Sequence, residues 1–460
     1  MPAGQRLQFT AGAIELAGGQ LFAPQGEVGL LASGDVSLAE GPEGLAGIDA
    51  ARVRIDAGKL SISGKAGGDT DLFAYLDNQD RPAILASERI DITAREQARF
   101  DNGAIVRVSG SAPSLRIDAP AVSVARLASL SVDSNDAASG EGIVITTDQL
   151  SIVDGGQLLT AGSGSRNQAN DIRIEAGRVT ISGLSATPLG VDQVSEINSS
   201  VSGTGGGSAG AIIVQASESL SLADSGRLFA ITSALDQGSQ GGDIRVQTGR
   251  LTLTSQASIA NQSTGAGSSG NISIQAGPIT LDDSSSIDVT THGADAGVID
   301  ITFSGLLKMG QGASISTSAL ADDNRSLGNG GNITVTGTGK NLLLMQDGVR
   351  ITAETARGHG GDIVFNVQSV LRDPPPATHI SANANNVEGE AGKIEFNTPD
   401  VDATSGTLQL PQSFADVSEL VSGHCTAPGA GQSRFHVRGR EGLPASPDAL
   451  LAANPNFPLD

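Results

Sequence analysis

The stretch "SGNISIQAGPITLDDSSSIDVTT", residues 269–291, alternates apolar and polar residues in three short runs. Such alternation over four to six residues is typical of a half-buried strand, because successive side chains of a strand point to opposite faces. Gly, Pro, Asp and Ser separate the runs and supply the turns. The stretch therefore predicts three strands, and the predicted inward pairs are Ile272 with Ile274, Ile279 with Leu281, and Ile287 with Val289.

The same unit recurs along much of the chain. Its first inward residue returns at intervals that range from 27 residues (Ile272 to Ile299) to 40 residues (Ile172 to Ile212). Repetition of this kind predicts a repeat protein in which each unit packs on its neighbours. The predicted first inward residues are Leu115, Ile143, Ile172, Ile212, Ile244, Ile272, Ile299, Ile333, Ile363 and Ile394.

One part of the unit has a constant length. Six residues separate the last inward residue of the second strand from the first inward residue of the third, as from Leu281 to Ile287. Insertions are predicted to follow the third strand, in polar segments such as 261–270, and 183–209 is interpreted as a long Gly- and Ser-rich insertion. The run "LRDPPP" at 371–376 is predicted to remove the second strand of one unit, because proline cannot donate to an interior ladder.

Each unit thus has three strands, one connection of constant length and one connection of variable length. Such a unit describes a coil, and each of its strands pairs with the equivalent strand of the next coil. The predicted fold is therefore all-β: a right-handed parallel β-helix, or solenoid, with three short strands per coil and an irregular C-terminal tail. In this fold Ile272, Ile279 and Ile287 point inward from three different sheets.

Four regions are predicted along the chain. The first holds shorter units, with Leu7, Val28 and Val53 in equivalent positions. The predicted regions are 1–65 for a short-coil β-helix start, 66–114 for irregular β-helix coils, 115–400 for the main β-helix repeats, and 401–460 for a C-terminal cap and tail.

Composition limits the function. The 460-residue chain carries 28 Lys and Arg against 50 Asp and Glu, a formal net charge of −22. Nucleic acid is excluded as a partner because its binding needs a basic surface. No apolar run is long enough to predict a transmembrane helix. The single cysteine, Cys425, excludes an internal disulfide, and it is either a small buried residue or a link to another chain.

The start of the sequence lacks the pattern of a signal peptide. The first unit begins within a few residues of Met1, without a capping element over the strand ends. We therefore expect the sequence to be the back part of something longer, either a fragment or the product of a split or truncated gene.

Three segments resemble one family, the large exoproteins of the filamentous haemagglutinin type. Segment 18–38, "GGQLFAPQGEVGLLASGDVSL", resembles the region that follows their secretion domain, and 241–277 resembles their β-helical shaft. Segment 425–451 resembles a C-terminal signature of one branch of the family, with Glu441 where a glycine is expected. The matching residues are Cys425, Phe435, Gly439, Arg440, Gly442, Leu443 and Pro444.

This resemblance implies a protein that is secreted or displayed at the outer membrane or cell surface, where it serves in adhesion or surface coating. It also implies, for the full-length form, an outer-membrane transporter of the two-partner secretion type as partner. Surface glycans or proteins are the ligands that such a role suggests.

Residues suited to catalysis are few and scattered. The acidic pairs Asp282–Asp283 and Asp322–Asp323 fall in predicted turns, where Asp is favoured for hydrogen bonding to the backbone. Asn271 and Asn332 begin strands, which predicts a stacking or turn role. We predict no catalytic residue, no metal site and no cofactor, since the histidines also lack ligand spacing. The histidines are His292, His359, His379, His424 and His436.

The leading interpretation is a non-enzymatic exoprotein whose β-helical shaft makes contacts along its loops and outer faces. One alternative is a polysaccharide-active β-helix enzyme, a lyase or hydrolase, which would carry charged and aromatic residues clustered on one face. The other is a truncated gene fragment without independent function, which the DNA just upstream would reveal.

Overall fold

In a computed structural model, the chain forms two compact units, Met1–Asp400 and Val401–Asp460. The second unit, which contains the predicted cap and tail, lies outside the residues that the structure describes. The described residues are 4–39, 46–64, 83–135, 140–163, 168–187, 190–203, 207–233, 238–292, 294–320, 328–384 and 389–399.

These residues form strands, turns and irregular segments, and none of them forms a helix long and apolar enough to cross a membrane. The strands are β1 Arg6–Ala11, β2 Ile14–Ala17, β3 Gln20–Ala32, β4 Val36–Ala39, β5 Gly47–Ser63, β6 Ala83–Asp101, β7 Ile105–Gly110, β8 Ser114–Asp118, β9 Ala121–Ala125, β10 Ser129–Ser134, β11 Gly142–Val153, β12 Gln157–Ser163, β13 Ile172–Ser182, β14 Leu184–Ala186, β15 Asp192–Val194, β16 Glu196–Ser202, β17 Ile212–Ala223, β18 Arg227–Thr232, β19 Ile244–Thr248, β20 Leu251–Leu253, β21 Ser258–Ser263, β22 Ile272–Ala276, β23 Ile279–Leu281, β24 Ser286–Thr291, β25 Ile299–Met309, β26 Ser314–Ala319, β27 Ile333–Met345, β28 Val349–Thr355, β29 Ile363–Asn366, β30 Val370–Arg372, β31 Thr378–Ser381 and β32 Ile394–Asn397.

Thirty of these strands belong to one sheet, whose pairings are all parallel. Equivalent residues of successive repeats pair directly and form three apolar ladders. The first ladder contains every predicted first inward residue in the predicted order, so this part of the register is confirmed. It runs through Leu7, Val28, Val53, Ile90, Leu115, Ile143, Ile172, Ile212, Ile244, Ile272, Ile299, Ile333, Ile363 and Ile394.

The other two ladders lie on the remaining strands of each repeat. The second ladder includes Leu251, Ile279 and Leu307, and the third includes Ile259, Ile287 and Ile315. Side chains of all three ladders meet in one hydrophobic cluster. The predicted inward residues of 269–291 are all buried there, the residues being Ile272, Ile274, Ile279, Leu281, Ile287 and Val289.

The corner of constant length contains two successive residues with positive φ. In one repeat they are Asp224 (φ 49°) and Ser225 (φ 65°), and the N–H of Ser225 donates to the carbonyl of Ser255 in the next repeat at 2.9 Å. The left-handed backbone lets the chain turn a corner within six residues, and it disfavours residues with a Cβ. Such pairs occur at Asn102–Gly103, Arg126–Leu127, Asp154–Gly155, Asp224–Ser225, Ser255–Gln256, Asp283–Ser284, Gln311–Gly312 and Asp347–Gly348.

Glycines occupy the opposite end of the repeat, just before the first-ladder strand. A Cβ added to Gly331 would lie 1.9 Å from the carbonyl oxygen of Gly297, one repeat earlier, and one added to Gly361 would lie 2.1 Å from that of Gly331. Real Cβ atoms do not approach oxygen so closely. These positions are therefore glycine because successive backbones touch there.

The interpretation of 183–209 as one insertion was wrong. It contains β16, whose Ile197 stands in the third ladder between Leu158 and Leu228. The inserted residues form the antiparallel hairpin of β14 and β15, at the corner that is short in other repeats. The Ser-rich sequence hid β16, since Ser199 takes an inward position that is apolar in most other repeats.

The predicted loss of a strand at 371–376 was also wrong. Strand β30, Val370–Arg372, pairs in parallel with Leu343–Met345. The first proline of the run, Pro374, comes after β30 has ended. Proline therefore limits the length of this strand without removing it.

Within the predicted irregular region 66–114, the described residues belong to the ladders. Strand β6 supplies a residue to each of them: Ile84 to the third, Ile90 to the first and Ala98 to the second.

Candidate functional site

A groove of about 630 Å³ runs along the outer surface, where the first-ladder strand of each repeat bends into the second-ladder strand. Its wall is a row of outward residues that occupy one register position in successive repeats. Parallel strands lie about 4.8 Å apart, so the row presents a side chain at each such interval. The wall residues are Glu175, Gln215, Gln247, Gln275 and Thr302.

Three of these wall residues are glutamines with free amides. The side chains of Gln215, Gln247 and Gln275 are exposed, and no described residue hydrogen-bonds to them. Each amide carries two N–H donors and one carbonyl acceptor. The wall therefore offers an unpaired donor and acceptor in three consecutive repeats.

The floor of the groove is lined with small residues. Ala216 and Ala276 are almost fully buried, and Thr248 between them turns its hydroxyl to the carbonyl of Arg250 at 3.1 Å. The far side contains Gly277, where a Cβ would lie 2.2 Å from the carbonyl oxygen of Gly249. Close stacking of the backbones thus forbids a side chain at Gly277 and helps to keep the groove open.

Charge is almost absent from the groove. Glu175 is the only ionisable residue among those that line it. Nearby, Arg178 forms an ion pair with Glu218 of the next repeat, at 2.6 Å. The groove is consequently a strip of low charge, with one acidic and no basic lining residue, on a chain of net charge −22.

The acidic pair Asp282–Asp283 has a structural role. Asp282 accepts a hydrogen bond from Lys308 Nζ at 2.8 Å and from the backbone N–H of Asp283 at 3.1 Å. Asp283 itself has φ of 51°, within the constant corner. The interpretation of this pair as a turn element is confirmed, while Asp322–Asp323 lies outside the described residues.

The described histidines lie apart from one another. His292 Nδ1 is 3.1 Å from the carbonyl of Ser263, and His359 Nδ1 accepts from the N–H of Glu390 at 3.1 Å. His379 pairs in register with Arg350. No three His, Cys, Asp or Glu residues of the described ranges are grouped to hold a metal ion.

The remaining sequence-predicted residues lie outside the described ranges. They are His424, His436 and the residues of the C-terminal signature, Cys425, Phe435, Gly439, Arg440, Gly442, Leu443 and Pro444.

Sequence reasoning missed the groove, although a signal for it exists. Gln215, Gln247 and Gln275 each lie three residues after a first-ladder isoleucine, and a Ser or Gly follows two residues later. An alignment of the repeats on their inward residues would have placed these amides in one column.

Comparisons with protein-family models, with curated proteins and with solved structures gave no match to this chain.

Proposed function

We propose that the described repeats form a right-handed parallel β-helix with three short strands per coil, and that the chain is a non-enzymatic exoprotein used in adhesion or surface coating. The observation that carries the proposal is the unbroken parallel register of the first ladder, from Leu7 to Ile394. A solenoid of stacked repeats presents a long, regular surface, and such a surface can contact a ligand at many points along its length.

Ion pairs between repeats support a structural role for much of the outer charge. Arg52 pairs with Glu88 at 2.7 Å and Arg227 with Glu196 at 2.8 Å, in each case across neighbouring repeats. The Arg52–Glu88 pair is exposed, and exposed pairs contribute at most about 1 kcal/mol each, whereas Glu196 of the other pair is buried. Both pairs favour the aligned register, whereas the sparsely charged groove keeps the unpaired amides of Gln215, Gln247 and Gln275.

The cellular setting of the proposal rests on the resemblance to the filamentous haemagglutinin type. Export by an outer-membrane two-partner transporter, and a secreted or cell-surface location, belong to the proposal for the full-length form. Surface glycans or proteins are its proposed ligands.

A second candidate function, polysaccharide cleavage, is favoured by one observation: the groove extends across the strands of several successive repeats, as a binding site for a polymer would. The two functions differ in whether a bound chain is cut. Cleavage of a glycosidic bond by hydrolysis typically needs two carboxylates at a defined separation.

The test incubates the purified chain with immobilised acidic and neutral polysaccharides and measures both retention and cleavage. We expect weak retention and no product, with retention on acidic polymers increasing as salt or divalent ions screen the repulsion. Release of reducing ends, or absorbance of unsaturated sugars, above a boiled control would overturn the non-enzymatic proposal. Absence of retention on every polymer would overturn the adhesive role.

A further inference from the structure

We propose that the groove binds a neutral glycan chain, which lies along the ladder direction and hydrogen-bonds through its hydroxyl groups to Gln215, Gln247 and Gln275. The inference rests on the proposed adhesive function and names the ligand class of that surface. Three observations support it: the unpaired amides, a lining with one acidic and no basic residue, and the small floor residues.

The repetition of the amides selects a repeating ligand. Gln215 pairs in register with Gln247, and Gln247 with Gln275, so the three side chains leave the sheet from equivalent points. Each is exposed and has no partner among the described residues. A polymer whose units each present hydroxyl groups can satisfy these donors and acceptors in turn.

The charge of the groove selects against polyanions. Its lining contains Glu175 but no Lys or Arg, so a uronic-acid or sulfated chain would find no counter-charge there. The net charge of −22 adds a repulsion that salt reduces. A neutral chain meets neither obstacle.

The backbone of the groove is closed to a polypeptide. Strand β19, which carries Gln247, is paired on one side with β17 and on the other with β22. A peptide that adds to a sheet needs a free strand edge with unpaired N–H and C=O groups. Only side-chain groups are offered here, and these match hydroxyl groups well.

The floor determines the strength of binding. Ala216, Thr248 and Ala276 leave room for a sugar ring, and the residues that line the groove include no aromatic side chain to stack on it. Affinity therefore comes from hydrogen bonds and shape, and we expect a dissociation constant of about 1 mM for a chain that spans the three amides.

The test is electrophoresis in native gels that contain hydroxyethylcellulose, galactomannan or dextran, each compared with a polymer-free gel. We expect at least one of these neutral polymers to retard the wild-type chain. Combined Gln215→Ala, Gln247→Ala and Gln275→Ala should raise the dissociation constant about tenfold, which abolishes the retardation.

A matched triple variant changes the outward row on the third-ladder strands: Gln262→Ala, Thr290→Ala and Ser318→Ala. These residues also occupy one register position in three successive repeats. This control should be retarded as strongly as the wild type. Circular dichroism and thermal melting of both triple variants should match the wild type, which excludes unfolding as the cause.

Several results would overturn the inference. One is a wild-type mobility that none of the three neutral polymers changes. Another is retardation of the glutamine variant that equals that of the wild type. A third is retardation of the wild type only in gels that contain polygalacturonate or gelatin, an unfolded polypeptide. Equal retardation of wild type and glutamine variant would overturn the groove assignment alone and leave the adhesive function standing. Cleavage of a retarding polymer would overturn the non-enzymatic function and leave the groove assignment standing.

Discussion

The side-chain Oδ1 of Asn332 accepts a hydrogen bond from the backbone N–H of Asp362, one repeat later, at 2.8 Å. Asp362 Oδ1 accepts in the same way from the N–H of Lys393 at 2.7 Å. Earlier in the chain, Asn271 Oδ1 accepts a hydrogen bond from the N–H of Val298 at 2.9 Å. Asn or Asp at this bend thus bonds its repeat to the next, just before the first-ladder strand begins; Asp171 and Asp243 accept in the same way from Ala211 and Asn271.

This column predicts a difference between two substitutions at Asp362. Asp362→Ala removes the acceptor for the N–H of Lys393 and should lower the free energy of unfolding by about 1 kcal/mol. Asp362→Asn keeps an oxygen in place and should stay within about 0.5 kcal/mol of the wild type. Chemical denaturation measures both, and equal losses for the two variants would contradict the assigned role.

The sequence predicted the part of the fold that depends on period-two alternation. Leu7, Val28 and Val53 were placed in equivalent positions from their spacing alone, and they pair in that order. Alternation survives in most strands because an inward polar group costs free energy unless it is hydrogen-bonded, as Asn261 and Thr317 are. It failed for β16, where Ser199 is fully buried and the polar run resembles a loop.

The burial of Ile274 predicts a strong asymmetry with its neighbour. Ile274→Asp places an unpaired charge among apolar ladder residues and should destabilise the chain by about 4 kcal/mol or more. Ser273 is exposed in the same strand, so Ser273→Asp should change the stability by less than about 0.5 kcal/mol. Thermal midpoints report both effects, and similar shifts would show that the assignment of inner and outer faces is wrong.

The contact between Gly331 and Gly297 predicts that a single methyl group is harmful. Gly331→Ala forces two backbones apart and should cost about 2–3 kcal/mol, in the range of overpacked cores. Gly12 has no atom within 4 Å of its would-be Cβ, so Gly12→Ala serves as the control and should be close to neutral. Comparable losses at the two positions would remove the steric explanation.

The left-handed corner predicts that one serine-to-glycine substitution is favourable. Ser225 has φ of 65°, which costs a residue with a Cβ about 1–2 kcal/mol. Because glycine itself costs about 0.5–1 kcal/mol in backbone entropy, Ser225→Gly should gain a net of roughly 0.5–1 kcal/mol. Ser221 lies in the adjoining strand β17, where Ser221→Gly should lose about as much through backbone entropy. Opposite signs in urea denaturation are expected, and a loss at both sites would count against strain at the corner.

Sequence reasoning missed the groove for a physical reason. An exposed glutamine such as Gln247 is compatible with any solvated strand, so its residue type alone carries little information. What makes it a site is the register that aligns it with Gln215 and Gln275, together with the bend beneath them. The inward ladder had to be fixed before outward residues could be compared between repeats.

Asp288 predicts a pH dependence of stability. It is a half-buried outward residue of β24 that accepts a hydrogen bond from Ser316 Oγ at 2.7 Å. Burial raises the pKa of its carboxyl above the ordinary value of 3.8, although hydrogen bonds from Ser286 and Ser316 oppose the shift. Because the folded-state pKa is raised, the contribution of Asp288 to stability is present below pH 3.8 and is lost as the pH rises through the folded-state value.

Asp288→Asn should therefore raise the thermal midpoint at pH 7, by about 1–2 °C, because the amide carries no charge and still accepts from Ser316. The difference between variant and wild type should shrink as the pH falls below 3.8, where the carboxyl is protonated in both the folded and the unfolded chain. Asp300→Asn, at an exposed outward position of β25, controls for the general loss of one negative charge. The measurement is the thermal midpoint of each chain from pH 3 to pH 7. A midpoint for Asp288→Asn below that of the wild type at pH 7 would refute the claim that the Asp288 carboxylate destabilises the folded chain. A midpoint difference that persists unchanged at pH 3 would refute it too.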